Sequence, residues 1–368
     1  MTREEEWYWL CNIEGIYQKK IKSLLQVFKT PQSVFFAEEN ELKEVYGIQD
    51  EDIRKIQTAQ KEKEKAVEEL EKLKEKGIRF IHLEMEEYPE AFLHLQDMPY
   101  SLYVKGNLPE KEERNLAVIG ARACTTYGRQ MAKAIAREAA RAEIGIISGL
   151  ARGIDSMGHI GALEGKGRTY GILGSGFGQI YPPENAGLIE KMIESKGGVI
   201  TEYPYFTPPR RQNFPQRNRL ISGLSDGIVV IEAKVRSGSL ITVECALEQG
   251  KDVFAVPGRV DDPLSEGCNR LIKNGAAIIT HPGDVLVELG VDKQNKDEKK
   301  VKNDYSLEKE LEVVYSVLCL FPKNIHIIIE ETGMESKKAL SCLVRLELMG
   351  LVWEPMKNYY ARREVRGD

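Results

Sequence analysis

Several features that identify particular classes of protein are missing from this sequence of 368 residues. Its six cysteines are widely spaced and form no C-x-x-C pair, and its five histidines form no H-E-x-x-H motif. The spacing therefore predicts neither a zinc site nor a disulfide scaffold, and we expect reduced cysteines, no metal and no other cofactor. The sequence G-x-x-x-x-G-K followed by Ser or Thr is also missing, which excludes an NTPase of the P-loop kind.

Long hydrophobic runs are missing as well. No stretch of about 18 apolar residues occurs, so a transmembrane helix is not predicted. The N-terminal sequence MTREEEWYWLCNIEG is acidic and lacks the apolar core of a secretory signal, so we expect a cytoplasmic protein with no membrane partner. There is no excess of basic residues either, since the formal net charge is −5. Because a local basic patch neutralises phosphates, the distribution of charge matters more than its sum.

Residues 77–290 alternate short apolar runs with helical stretches. The runs lie at 116–120, 144–148, 169–173, 198–201, 227–232, 252–256 and 276–280. The helical stretches between them cover 127–142, 155–163, 185–195 and 239–248. Continuous apolar strands that alternate with helices predict an α/β domain with a doubly wound, mostly parallel sheet that is buried on both faces.

Residues 1–76 predict a small helical domain, which we interpret as SAM-like or helix-hairpin-helix-like. The segment ELKEVYGIQDEDIRKI resembles a helix-hairpin-helix, a motif that holds a DNA phosphate with main-chain N–H groups. A packing or interaction domain is the alternative, because acidic residues outnumber basic ones in residues 1–50. The stretch from Asp50 to Lys76 predicts one charged helix with a solvated face.

The C-terminal part predicts a linker and a third domain. Residues 291–306 have the charged composition of a linker. Residues 307–368 predict three helices followed by a β-hairpin, which is the arrangement of a winged helix. The charge of this region is close to neutral, so both a DNA-reading role and a protein-contact role stay open.

In an open α/β sheet, ligands bind outside the carboxyl ends of the strands, so the loops after the strands are the candidate sites. The first loop reads GARACTTYG, and its Gly120, Arg122 and threonines before a helix predict an anion site. The alternative is that Gly120 only serves a tight turn and that Arg122 pairs with a carboxylate. In the next loop, Ser148 and Gly149 allow close backbone approach and Arg152 extends the loop.

Two ionisable residues follow in the helix after that loop. Asp155 is predicted to cap the helix, with a general base as the alternative. His159 is predicted to be a packed, hydrogen-bonded histidine, with a catalytic role as the alternative. The later loop GSGFGQIYPPEN reads G-x-G-x-G instead of G-x-G-x-x-G and is a weak dinucleotide signal.

The strongest electrostatic signal is the segment 203–219, which we name the arginine–aromatic segment. It has no acidic residue and interleaves four arginines with Tyr and Phe. Arginines neutralise phosphates, while aromatic faces stack on unpaired bases at about 1–3 kcal/mol per base, so the segment predicts single-stranded nucleic acid. The alternative is that Phe214 packs under the loop and that Arg217 and Arg219 pair inward while Arg210 and Arg211 face out.

A second anion site is predicted at the start of the helix that begins with Ser237, Gly238 and Ser239. Lys251, which precedes the next strand, is expected to reach the same rim. The full set of predicted DNA contacts is Gly120, Arg122, Ser148, Gly149, Arg152, Arg210, Arg211, Phe214, Arg217, Asn218, Arg219, Ser237, Gly238, Ser239 and Lys251. No catalytic and no metal-binding residue is predicted.

Six motifs, taken in order, resemble the pattern of the bacterial DNA-processing protein family DprA, also called Smf, over about residues 77–285. They are GARACTTYG, SGLARGIDSMGHIGAL, GSGFGQIYP, FPQRNRLISGLS, EAKVRSGSLIT and FAVPGRVDDPLSEGCNRLIKNGA. The resemblance implies an extended Rossmann-like domain that forms a homodimer and binds single-stranded DNA with little sequence preference. It also implies protection of incoming DNA during natural transformation and loading of the RecA recombinase, without catalysis.

Carried over motif by motif, the resemblance implies DNA contacts at Gly120, Arg122, Arg211, Phe214, Arg217, Asn218 and Lys251. The first motif of the family often reads Gly-Ser-Arg, whereas Ala121 stands at the middle position here. The alternative function is a Rossmann-like nucleotide phosphoribohydrolase, because the helix start from Gly238 to Glu244 is similar to the G-x-T-x-x-E of those enzymes. The glycine spacing differs, and such an enzyme has no need of the arginine–aromatic segment.

Overall fold

The computed structural model describes residues 1–291, 308–319 and 322–362. The chain forms two compact units, Met1–Asp292 and Lys293–Asp368, and each is described by itself. The predicted linker lies outside the described residues except for Val291. The domain boundaries predicted from composition stay predictions. None of the described helices is long and apolar enough to cross a membrane.

The first unit is built on one nine-stranded sheet with the order β1-β2-β6-β5-β4-β3-β7-β8-β9. Its strands are β1 (Ile78–His82), β2 (Ser101–Gly106), β3 (Asn115–Ile119), β4 (Gly145–Ser148), β5 (Thr169–Ile172), β6 (Gly198–Thr201), β7 (Gly227–Val230), β8 (Asp252–Ala255) and β9 (Ala277–Ile278). In this spatial order, every pair of neighbours from β6 through β3 to β9 is parallel. At the other side of the sheet, β2 pairs antiparallel with both β1 and β6. The predicted α/β class with a mostly parallel sheet is confirmed.

The apolar runs form strands that are buried on both sides, as β3 shows. Leu116 and Val118 face one core cluster, while the alternating residues Ala117 and Ile119 face another. Because successive side chains of a strand point to opposite faces, helices must cover both faces of such a sheet. The helices of this layer are α7 (Thr126–Arg141), α8 (Ile154–Glu164), α9 (Ala186–Glu194), α10 (Asn213–Gly223), α11 (Gly238–Glu248), α12 (Glu266–Lys273) and α13 (Asp284–Glu288).

The chain order of the strands reverses at β3, which lies between β4 and β7. Strands β4 to β6 follow on one side of β3, and strands β7 to β9 follow on the other. This topological switch point is the place where doubly wound folds bind their ligands, outside the carboxyl ends of the strands. The loops that follow β3 and β7 therefore meet at one crevice.

The part of the arginine–aromatic segment that carries its last two arginines is a helix and not a loop. Helix α10 begins at Asn213, so Phe214, Arg217 and Arg219 lie on it. Pro215 lies in the first turn, where a missing N–H costs no helical hydrogen bond. The prolines and the mixed polarity concealed this helix in the sequence, and strands β1 and β2 were also missed.

The N-terminal helices of this unit are α1 (Arg3–Cys11), α2 (Gln18–Phe28), α3 (Pro31–Phe36), α4 (Glu39–Lys43), α5 (Asp50–Lys61) and α6 (Lys63–Glu75). The predicted single helix from Asp50 to Lys76 is wrong, because Glu62 separates two helices. Helix α1 packs on the antiparallel edge of the sheet, where Tyr8 meets Phe80 edge-on at 5.1 Å between ring centroids. The helical part and the sheet therefore share a core.

The second unit contains α14 (Lys309–Val317), α15 (Ile325–Thr332) and α16 (Ser336–Leu348) with a three-stranded sheet in the order β10-β12-β11. Its strands are β10 (Lys323–Asn324), β11 (Val352–Met356) and β12 (Tyr359–Arg362). The three predicted helices and the predicted hairpin are present among the described residues. The winged-helix assignment stays a prediction.

Candidate nucleic-acid interface

The loop after β3 is closed by a side chain from the loop after β7. The Glu232 carboxylate accepts a hydrogen bond from Thr125 N at 2.8 Å and a second one from the Thr125 hydroxyl. Thr125 is the N-cap of α7, so this carboxylate lies where a helix N-terminus attracts an anion. Glu232 is only 3% exposed. The anion site predicted at this loop is therefore already filled by the protein.

A glycine makes room for this internal carboxylate. A Cβ atom added at Gly128, in the first turn of α7, would lie 2.5 Å from the Glu232 carboxylate. That distance is well inside van der Waals contact, so any larger residue at this position would displace Glu232. Gly120 serves a similar close approach, since its Cβ would lie 2.7 Å from Ile154 Cγ1 of helix α8.

The loop after β4 is held by buried charges and offers little to a ligand. Ser148 is fully buried, and its hydroxyl donates to Val118 O at 2.6 Å. The N–H of Gly149 donates to Asp155 Oδ2 at 3.1 Å, and its carbonyl oxygen accepts from Arg217 Nη1 at 2.7 Å. The predicted DNA contacts at Ser148 and Gly149 are thus corrected, because their polar atoms are engaged inside the protein.

The prediction that Asp155 caps its helix is wrong, because Gly153 is the N-cap of α8. Asp155 lies inside α8 and accepts hydrogen bonds from Gly149 N and Ala151 N, which shapes the preceding loop. Burial raises the pKa of Asp155, and the nearby Arg217 opposes that rise. Burial also lowers the pKa of Arg217 to about 10. These two side chains form a buried electrostatic pair on either side of Gly149, whose missing Cβ leaves them space.

His159 is a packed histidine, which agrees with the first of its two interpretations. It is fully buried, and its Nδ1 lies 2.7 Å from Thr169 Oγ1. Burial lowers the pKa of His159 to about 3, so the ring is neutral at physiological pH. A neutral, fully buried imidazole supports packing and has no access to a ligand.

The exposed chemistry of the carboxyl edge centres on Phe214. The Arg122 guanidinium carbon lies 5.2 Å from the centre of the Phe214 ring, within the range of a cation–π contact. Tyr181 approaches the same ring at 6.0 Å between centroids. Gly174 in the loop after β5 passes under the ring, since its Cβ would lie 2.9 Å from Phe214 Cδ1. An exposed arginine and two aromatic rings thus share one surface.

Three arginines around this surface differ in whether their guanidinium groups are paired with a carboxylate. Arg210 and Arg211 are exposed just before α10, and no carboxylate among the described residues forms an ion pair with either. Arg152 is exposed too, but its guanidinium pairs with Glu184. Together with Arg122, the first two supply cationic groups that are available to phosphates.

The remaining two arginines of the arginine–aromatic segment bind other groups of the protein. Arg217 is 3% exposed and also donates to Ile172 O. Arg219 Nη2 binds the buried Glu202 carboxylate at 2.6 Å. Their positions favour the inward-pairing alternative over DNA contact. Asn218 Nδ2 donates to Gly238 O at 3.2 Å, so helix α10 also positions the loop that begins α11.

The start of α11 remains a candidate anion site at the rim. Ser237 is the N-cap, and its hydroxyl lies 2.8 Å from that of Ser239. Gly238 and Arg236 are exposed beside it. The loop follows β7, so it opens on the same edge of the sheet as Arg122.

Lys251 lies at the opposite edge of the sheet. It precedes Asp252, which starts β8 and pairs in parallel with Gly227 at the start of β7. Helix α11 has 11 residues and therefore separates the two edges by about 16 Å. The prediction that Lys251 reaches the same rim is wrong. A DNA contact at Lys251 requires a strand that runs from one edge to the other.

Residues 79–290 match the protein family named DNA recombination-mediator protein A, which covers more than half of the chain. The chain belongs to this family. The family's relatives include Protein Smf of Escherichia coli, 36% identical over 282 residues that cover 74% of this chain and 74% of that protein. The DNA processing protein DprA of Bacillus subtilis is 41% identical over 58% of this chain and 72% of its own length. The resemblance to the DprA/Smf family is confirmed.

Solved structures of DprA show the same fold. The DprA structure from Streptococcus pneumoniae is 31% identical, covers 78% of this chain and 98% of its own, and has a TM-score of 0.67. DprA from Helicobacter pylori is 30% identical, covers 57% of this chain and 95% of its own, and has a TM-score of 0.51. The latter structure is described as revealing a single-stranded DNA binding mode of that protein.

Sequence reasoning missed Glu232, Tyr181 and Glu202 as site residues. A signal for Glu232 was present, since it ends an apolar run and so lies at the carboxyl end of a buried strand. Tyr181 follows a glycine-rich loop whose path no local pattern predicts. The pairing of Glu202 with Arg219 joins the end of β6 to α10 and depends on the tertiary structure alone.

Proposed function

We propose that this protein binds single-stranded DNA at the carboxyl edge of its sheet and serves DNA processing in recombination without catalysing a reaction there. The observation that carries the proposal is the contact between Arg122 and Phe214. An exposed guanidinium without a carboxylate partner among the described residues lies over an aromatic ring, with Arg210 and Arg211 unpaired nearby. We name this surface, formed by Arg122, Tyr181, Arg210, Arg211 and Phe214, the edge groove.

The chemistry of the edge groove fits a single strand better than a duplex. Arginine side chains neutralise backbone phosphates irrespective of sequence, and aromatic side chains stack on bases whose faces are free. A duplex hides those faces, so it would contact only the arginines. Membership in the recombination-mediator family and the described binding mode of the Helicobacter pylori relative support the same ligand.

A catalytic role has little support at this edge. The two titratable residues that the sequence offered, Asp155 and His159, are buried and bind other groups of the protein. Glu244, the candidate of the phosphoribohydrolase alternative, is exposed on the solvent side of α11. An assay for release of the base from nucleoside monophosphates tests this directly, and measurable turnover would contradict the proposal.

The same family membership supports three further parts of the proposal. They are protection of incoming DNA in transformation, delivery of the bound strand to RecA, and a homodimer through the Rossmann-like domain. RecA filament formation on DNA precoated with single-strand-binding protein, with and without this protein, tests the second part. Sedimentation velocity tests the third. The cytoplasmic location predicted from the sequence stays a prediction.

The main test is a fluorescence-anisotropy titration with matched single- and double-stranded oligonucleotides at two salt concentrations. Phe214→Leu keeps an apolar side chain against Gly174 but removes the flat ring, and because Phe214 is only half-buried the change should cost less stability than a truncation in the core. We expect wild type to prefer the single strand and Phe214→Leu to lose most of that preference. Equal affinity for both forms, or no binding at low salt, would refute single-strand binding at the edge groove.

A further inference from the structure

A second cleft lies beside the edge groove and shares Arg210 with it, but its aromatic residues have no role in the function proposed above. It has a volume of about 690 Å³ and runs between the N-terminal helices and the first half of the arginine–aromatic segment. We name it the side cleft, and the lining residues that matter here are Tyr17, Lys76, Tyr203, Tyr205, Phe206 and Arg210. All of them belong to the first unit of the chain.

Two aromatic side chains in the side cleft are largely exposed. Phe206 is 76% exposed, and Tyr17 is 65% exposed. Phe206 meets Tyr205 edge-on, with 4.8 Å between ring centroids and an interplanar angle of 88°. An edge-on contact covers at most one face of the Phe206 ring, so at least one face stays open to a ligand. Exposed aromatic faces on a concave surface are what proteins use to stack unpaired bases.

The charges of the side cleft are balanced. The Glu202 carboxylate at its base is bound by Arg219 and by Gln18 Nε2 at 2.9 Å, so it repels an incoming anion only weakly. Lys76 and Arg210 are opposed by Glu14 and Glu69 along the walls, and the third cation, Lys72, is paired with Glu68 at 2.7 Å. A phosphate backbone gains little from such a surface. Stacking of bases is therefore the contact that the side cleft favours.

The side cleft is continuous with the edge groove along the chain. Arg210 and Asn213 line the side cleft, and the next residue after Asn213 is Phe214. We propose that the side cleft binds unpaired bases of the same strand after that strand leaves the edge groove, by stacking on Phe206 and Tyr17. This inference rests on the proposed function and adds a second base-binding subsite to it.

The test compares oligothymidines of about 6 and about 20 nucleotides, because only the longer strand would fill both sites. Binding by the full chain is measured by fluorescence anisotropy for wild type, Phe206→Ala and Tyr17→Ala. The matched control is Phe36→Ala, since Phe36 is 72% exposed, meets Phe35 edge-on at 5.2 Å, and does not line the side cleft.

We expect Phe206→Ala to weaken binding of the longer strand by about fivefold to a hundredfold, the loss of one stacked base, and to leave the shorter strand unchanged. The salt dependence should stay the same, because no phosphate contact is removed. Phe36→Ala should bind both strands like wild type.

Three results would overturn the inference. An unchanged affinity of Phe206→Ala for the longer strand would show that the side cleft binds no base. An equal loss with both lengths would place Phe206 in the edge groove. If Phe36→Ala weakened binding to the same extent, the loss would come from removing any exposed aromatic side chain and not from the side cleft. Failure of the proposed function looks different, since wild type would then bind neither strand.

Discussion

Removal of the Arg122 charge is the most direct perturbation of the edge groove. Arg122 is exposed, and its guanidinium contacts the Phe214 ring. Its charge also favours the ionised form of Asp155 and disfavours that of Arg217, two effects on stability that oppose each other. Surface substitutions of this kind usually change stability by less than about 0.5 kcal/mol. Any large change in DNA binding by Arg122→Ala therefore reports on the contact and not on unfolding.

The expected magnitude follows from counterion release. One phosphate contact on a single strand contributes about 0.7 to the slope of log K against log salt. Between about 50 and 200 mM salt, that slope makes wild type lose about 2.6-fold more affinity than Arg122→Ala. Arg122→Lys keeps the charge but not the planar group over Phe214. It should therefore keep the wild-type slope but bind more weakly than wild type at each salt concentration, because an ammonium group cannot bind a phosphate with the paired N–H groups of a guanidinium.

Anisotropy titrations of one oligothymidine at four or more salt concentrations measure both quantities. Arg141→Ala is the matched control, because Arg141 is an exposed arginine at the other end of α7 and thus at the opposite edge of the sheet. It should reproduce the wild-type slope within error. If Arg122→Ala kept the wild-type affinity and slope, Arg122 would not contact a phosphate and the edge groove would be wrongly placed.

Three further predictions concern buried groups of the first unit. Arg217→Met should lower the free energy of unfolding by about 3 kcal/mol or more, because the buried Asp155 carboxylate loses its cationic neighbour. Glu232→Ala should lower it by about 2 kcal/mol, because Thr125 N and the start of α7 lose their acceptor, and added formate should restore part of the loss. The pKa of His159 is lowered from 6.5 to about 3, so below pH 6.5 the unfolded chain takes up a proton that the folded protein does not. The free energy of unfolding is therefore highest above pH 6.5 and decreases as pH falls toward 3. Wild type should therefore lose about 2 kcal/mol more than His159→Gln between pH 7 and pH 5.

Urea unfolding followed by tryptophan fluorescence measures all three. A Trp353→Phe background restricts the signal to the first unit, where Trp7 and Trp9 are buried. Glu232→Gln, which keeps an acceptor, is the control for Glu232→Ala and should be less destabilised and insensitive to formate. Equal pH dependence of wild type and His159→Gln would show that His159 titrates normally. Wild-type stability of Arg217→Met would remove Arg217 from the buried pair.

The strands from β3 to β9 were predictable because their signal is local, whereas β1 and β2 were missed. Runs such as the one at 116–120 are apolar at every position, and only a strand covered on both faces needs that pattern. Helix α10 was not predictable in the same way, since Pro215 and the alternating arginines conceal its periodicity. Its buried side is decided by Gly149 and Ile172, which are distant in sequence.

The sequence was enough to select residues of the candidate site, but not to tell which of them face solvent and which bind other groups of the protein. Arg122 and Phe214 were both selected from the sequence, and the structure brings them into contact. Whether an arginine faces solvent or a carboxylate depends on partners from other strands, as Arg219 and Glu202 show. The position of Lys251 also depends on the tertiary structure, because the direction of β8 places it at the amino edge of the sheet.

The position of Glu232 supports the proposal that this fold binds a strand and not a single nucleotide. In a doubly wound sheet the phosphate of a nucleotide normally sits at the start of the helix after the first strand of the switch point. Here a buried carboxylate already accepts the hydrogen bonds at that position, and a phosphate beside it would be repelled. Anion binding at the loop after β3 is therefore left to exposed arginine side chains such as Arg122 and Arg211, and the start of α11 is the other candidate site at this edge. Flexible cations spread along an edge gain most from a ligand that presents several phosphates at once, which is a property of a polynucleotide.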